Sequence, residues 1–172
     1  MKSLGESAGA RAGQPQVALL LRILDEGFDR RAWHGPNLRG TLRGLDSRRA
    51  SWRPAPGRHN IWELAVHAAY WKYAVRRRLT GDKRGSFALP GSNWFARRGD
   101  AGAAAWRADL ALLTAEHRKL REVVARLRDD DLPCASAGSR QSNATLIHGV
   151  AAHDLYHAGQ IQLLKRLGPG PM

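Results

Sequence analysis

The stretch His153-Asp154-Leu155-Tyr156-His157-Ala158-Gly159-Gln160-Ile161 sets the reading of the chain. Val150, His153, His157, Ile161 and Leu164 follow one another at three- and four-residue steps, the spacing that puts side chains on one face of an α-helix. The periodicity predicts a long helix that begins at Asn143 or Thr145 and is closed by Gly168-Pro169. His153 and His157 lie one turn apart on its inward edge, and two imidazoles so placed can converge on a single ion. Two core or surface histidines account for the same spacing without an ion. A buried imidazole must still find partners for its ring nitrogens, and a metal is one such partner.

Three other stretches carry the same period. The first runs from about Gln16 to Arg31 through Val17, Leu20, Leu21, Leu24 and Phe28, and Trp33-His34-Gly35-Pro36 stops it. A loop entering a brief turn follows, over Asn37 to Leu45. The second long helix starts sharply, because Asn60 followed three residues later by Glu63 is a capping-box signature. It continues through Leu64, His67, Ala68 and Trp71 to Leu79, and Gly81 ends it. Residues 81–99 form a long loop with Phe87, Trp94 and Phe95 as apolar anchors, a length usually tied to function. The third helix spans roughly Ala101 to Arg128, with Trp106, Leu110, Leu113, His117, Leu120, Val124 and Leu127 as its stripe. With no competing strand, the expected fold is an all-α four-helix bundle with a long loop between its second and third helices.

Composition narrows the classes. At 172 residues with 43% hydrophobic and 25% charged side chains, the chain suits one soluble globular domain. Met1 to Gln14 is small and polar without the apolar segment of a secretory signal, so 1–15 is expected to be a flexible tail ahead of one domain over 16–168. No apolar run is long enough to span a bilayer, which argues against a membrane partner. The single cysteine, Cys134, excludes an internal disulfide framework and fits a reducing, cytoplasmic setting. The net charge of +13 invites a nucleic-acid reading, yet the arginines are scattered and no nucleic-acid motif or basic–aromatic interleaving accompanies them. An anionic small substrate or a solvated surface is the better account of the charge. No nucleophile motif and no Gly-rich phosphate loop is present.

His67 lies on the stripe of Ile61, Leu64, Ala68 and Trp71. On pattern alone it is a hydrogen-bonded core histidine. Should its helix pack against the C-terminal one, three neutral imidazoles can meet and leave a coordination position open, as catalytic metal sites do. Glu63 and Asp154 are candidate acceptors for an imidazole N–H, or exposed helix charges. His117 reads as a core residue in preference to an outlying ligand, His148 as off the ligand face, and His34 and His59 as loop residues. Cys134 reads as a free thiol, and Arg76-Arg77-Arg78 as a helix end whose cations suit the dipole.

Taken together, Trp33-His34-Gly35-Pro36, Pro56-Gly57-Arg58-His59-Asn60-Ile61-Trp62-Glu63-Leu64, His67, Trp71, Trp106 and the His153–Ile161 stretch resemble the DinB-like family, the DinB/YfiT superfamily of metalloenzymes. The resemblance implies a four-helix bundle of unusual helix order, a homodimer, and a divalent metal ion (zinc, nickel or iron) on three histidines. Carried onto this chain, those ligands are His67, His153 and His157. It further implies a metal-dependent enzyme, a thiol-dependent S-transferase or a hydrolase, whose small-molecule substrate is a low-molecular-weight thiol such as mycothiol, bacillithiol or glutathione. The 81–99 loop, with Trp94 and Phe95, would then wall the pocket, and arginines at its mouth would receive the thiol's carboxylates. The alternative is a non-catalytic, dimeric, stress-related module that binds a metal or small ligand.

Overall fold

The computed structural model describes residues 13–97 and 101–170. Among the described residues six α-helices follow in chain order: α1 (Pro15–Phe28), α2 (Leu38–Thr41), α3 (Ser47–Ser51), α4 (Ile61–Thr80), α5 (Gly102–Val124) and α6 (Asn143–Leu167), with a 3₁₀ turn at Asp129–Asp131 before α6. Among the described residues there is no strand, only isolated bridges at Ala32–Gly35 and Ala135–Ser142, so the fold is all-α. Most of the expected tail lies outside the described residues, and Pro15 already opens α1.

Local chemistry sets the helix ends. At α4, Asn60 Oδ1 accepts from the Glu63 N–H at 2.8 Å while the Glu63 carboxylate accepts from the Asn60 N–H at 3.4 Å, a reciprocal capping box. Gly81 closes that helix with φ 76°, a left-handed conformation that costs a residue with a Cβ about 1–2 kcal/mol. Ser142 Oγ accepts from the Thr145 N–H to start α6. Two boundaries differ from the periodic pattern. α5 stops at Val124 rather than near Arg128, and beyond it Asp129 accepts from the Gln16 and Val17 N–H groups and so caps α1 from another element. The turn expected over Asn37 to Leu45 holds one short helix, α2, and a second, α3, follows it, started by Asp46 accepting from the Arg49 N–H.

Packing links the four long helices in a ring: α4 lies on α5 and α6, and α1 lies on α6 and α5. One apolar cluster, with Phe28, Ile61, Trp62, Trp106, Leu113 and Ile161, fills one end. A second, with Val17, Leu24, Leu120, Ile147 and Val150, fills the other. Full burial of side chains such as Leu24 or Ile161 stabilises by about 1.5–3 kcal/mol each. Trp62 and Trp106 meet edge-on at 5.3 Å, and each indole N–H is satisfied, by Asp109 and by the Leu45 carbonyl.

Polar side chains are buried as well. Lys72 on α4 and Asp154 on α6 are both fully buried and form an ion pair that ties the two helices, with the Lys72 ammonium also 4.8 Å from the centre of the Phe28 ring. No helix among the described residues is long and apolar enough to cross a membrane.

Candidate metal centre

α4 and α6 each present one inward edge to the other, and the imidazoles predicted on those edges meet there. His67 Nε2 lies 3.1 Å from His153 Nε2, which lies 3.0 Å from His157 Nε2. The three ligand atoms fall within 4.8 Å of one another.

Hydrogen bonds on the far side of two rings fix what the facing nitrogens are. His67 Nδ1 lies 2.8 Å from the Asn93 carbonyl oxygen, an atom that only accepts, so the neutral ring carries its proton on Nδ1 and a lone pair on Nε2. His157 Nδ1 is bonded to Gln160 Oε1 at 2.6 Å, with the same consequence. Two lone pairs therefore face His153 Nε2 together. A single proton on that nitrogen can serve one of them, whereas a cation serves all three. A tetrahedral ion with bonds of about 2.0–2.1 Å holds its nitrogen ligands roughly 3.3–3.4 Å apart, within a few tenths of an ångström of the two spacings that His153 makes. The donor set fits a divalent ion that accepts imidazole.

Electrostatics favour the ligand form. Burial pushes His67 down to about 4 and His153 down to about 3, and the neighbouring imidazoles add to both shifts. Burial also lowers His157, against the opposing bond from Gln160. At neutral pH all three are uncharged, and no proton must leave for an ion to bind.

The 81–99 loop supplies the support, by its Asn93 and Trp94. Asn93 adopts φ 64°, a left-handed conformation that asparagine tolerates better than most residues. That turn aims its carbonyl at His67, while its side-chain Oδ1 accepts from the Trp71 indole at 3.0 Å. Trp94 stacks on His67 at 3.8 Å and on His59 at 3.6 Å, so its ring is held between two imidazoles. Phe95, expected to wall the pocket, instead turns into the core against Phe87 and Tyr70.

Glu63 and Asp154, expected as acceptors for imidazole N–H groups of the site, are engaged elsewhere. Asp154 is spent on Lys72. Glu63 takes Arg53, the Arg97 N–H and His59, whose combined pull outweighs burial and keeps its carboxyl low. Asn93 and Gln160 stand beside the imidazoles in their place. Gln160 was open to detection, being three residues from His157 on the same helix; Asn93 was not, since its contact spans a loop. His117 is apart from the cluster, stacked on Phe28 at 3.8 Å. His34 and His148 are exposed, as is Cys134.

Two clefts reach the histidines. One, of about 450 Å³, is bounded by His67, His153, Trp71 and Asn93. The other, of about 600 Å³, is bounded by His59, Trp94, Tyr156, His157 and Gln160. A neutral donor set with His67 and His157 buried, His153 half-buried and two clefts open to it suits chemistry on a small molecule better than a closed structural site.

The family model for the DinB superfamily matches residues 30–161, an interval that takes in all three histidines, Asn93 and Gln160. No curated protein and no solved structure matches the chain.

Proposed function

The chain belongs to the DinB superfamily, and from that premise we propose that it is a divalent-metal-dependent enzyme whose ion is held by His67, His153 and His157. The carrying observation is the convergence of three uncharged Nε2 atoms at 3.0 and 3.1 Å, with two of them turned inward by Asn93 and Gln160. The chemistry supplied by zinc, nickel or iron at such a site is a lowered pKa for a water or thiol, which becomes a nucleophile at neutral pH.

The protein's own residues do the rest. Asn93 and Gln160 hold the imidazole rings in one tautomer and orientation. Trp94 covers one face of His67 and keeps water from it. The two clefts give a small molecule room beside the ligand atoms. The reaction classes that use such a nucleophile are thiol transfer and hydrolysis, with a low-molecular-weight thiol as the cosubstrate of the first.

Homodimerisation belongs to the same proposal, supported by Tyr156 and Leu163, which are 64% and 58% exposed on α6. Cytoplasmic residence is supported by the lone, exposed, unpaired Cys134.

Zinc-loaded protein assayed with glutathione and 1-chloro-2,4-dinitrobenzene, and separately with 4-nitrophenyl acetate, tests the reading. Turnover of either that disappears in His153→Ala supports it and identifies the class. Rates equal to the variant's on both substrates, in protein shown to hold its ion, contradict the enzyme reading and favour a metal- or small-ligand-binding module.

A further inference from the structure

Arg76, Arg77 and Arg78 stand in one run at the end of α4, but their side chains differ in what they meet. Arg76 faces Asp82 and Glu116, and Arg77 donates to the Asp82 carbonyl. Arg78 has no hydrogen bond or ion pair with any described residue, and its Nε is buried. The side chain as a whole is half-buried and lines the 450 Å³ cleft that begins at His67 and His153, and it also borders a neighbouring cleft beside Arg77 and Arg84. A guanidinium always carries its charge, and no described residue neutralises this one by an ion pair.

The rest of the cleft sharpens the point. Trp71, Val75, Leu146 and Val150 give it apolar walls, and no carboxylate is among its lining residues. Arg78 is therefore the cleft's single fixed charge, set at the opposite end of the α4 wall from His67. The two residues are eleven positions apart on one helix, which is about 16 Å along the axis. At about 30 Å³ per water-sized volume, the space equals roughly fifteen waters, enough for a small organic molecule and too little for a macromolecular segment.

We infer that this cleft binds a small organic acid with an apolar body, its carboxylate on the Arg78 guanidinium and its other end directed to the three histidines. Arg78 is thereby a specificity-determining residue: it selects anionic over neutral molecules of the same shape by charge-assisted hydrogen bonds. That the far end meets a metal ion rests on the function proposed above; the acid-binding end does not.

The test uses full-length, metal-free protein, so that no ion competes for the carboxylate. Hexanoate and hexan-1-ol serve as probes, with binding followed by tryptophan fluorescence, since Trp71 lines the cleft. Wild type is expected to bind hexanoate roughly ten-fold or more tightly than the alcohol. Arg78→Gln abolishes that preference, and Arg77→Gln leaves it in place. Arg78→Met, which keeps the aliphatic stem, repeats the test should the glutamine variant fold poorly by circular dichroism. Equal affinities in wild type, or a preference that survives in a folded Arg78 variant, overturn the inference. Failure of the protein to bind zinc, measured separately, would sink the metal reading and leave this ratio unaffected.

Discussion

His67 Nδ1 and the Asn93 carbonyl oxygen stand 2.8 Å apart across 26 residues of chain, and this contact decides which nitrogen of His67 faces the other two histidines. Because the acceptor is a backbone atom at φ 64°, the orientation of a ligand ring depends on a left-handed turn in a loop.

Replacing Asn93 separates the turn from the side chain. Asn93→Gly keeps the backbone conformation and loses only the Trp71 bond, so zinc affinity is expected to stay within a few-fold of wild type. Asn93→Ala strains the turn by about 1–2 kcal/mol, displaces the carbonyl and weakens zinc binding about 10- to 100-fold. Chelator competition measures both, and equal affinities for the two variants would show that the turn does not orient His67.

Acid acts on the same nitrogens. His67 and His153 have folded-state pKa values of about 4 and 3, below the ordinary 6.5, so the unfolded chain binds protons before the folded one does. Their contribution to stability is complete above about 6.5 and is lost as pH falls through that value toward 4 and 3. Asp154, raised to about 6 by burial, works in the opposite sense: its contribution is present below 3.8 and is lost as pH rises toward 6. His157 and His117, also lowered by burial, act in the same sense as His67 and His153, so four imidazoles against one carboxyl leave the histidines in control between pH 6.5 and 4. Urea midpoints of metal-free protein should therefore fall between pH 7 and pH 5, and fall less in a His67→Gln/His153→Gln double variant. A flat wild-type profile would count against burial of neutral imidazoles.

The Lys72–Asp154 pair tests the placement of Asp154. Lys72→Met leaves a buried carboxylate unpaired and should cost about 3–5 kcal/mol in urea unfolding. Adding Asp154→Leu should recover most of that loss, since an apolar pair of similar volume avoids the desolvation of two charges. The double variant should also retain full zinc stoichiometry, because Asp154 accepts from Lys72 and not from an imidazole. Loss of zinc in a double variant with wild-type stability would assign Asp154 to the site after all.

What could be read in advance was what lies close in sequence. The Asn60–Glu63 box, the Gly81 stop and the three- and four-residue steps of α6 are local patterns, and each determines local geometry. Glu63 and Asp154 lie beside those patterns but take partners from other elements: Arg53 and Arg97 in one case, Lys72 in the other. Long-range ion pairs leave no periodic trace. Asn93 and Arg78 escaped for the same reason, one acting through a loop carbonyl and the other distinguished from Arg76 and Arg77 only by the absence of a partner among the described residues. The Asp129 cap on α1 likewise joins residues more than a hundred positions apart.

The most direct test of the three-histidine site is metal content by elemental analysis, on untagged protein purified without chelator and without added metal, for wild type and His153→Ala. The account predicts close to one zinc, nickel or iron per chain in the wild type and its loss in a variant that remains folded. A wild type free of metal that also takes up none of these ions on dialysis, with the variant equally stable, would contradict it and leave the three imidazoles as packing in a helical core.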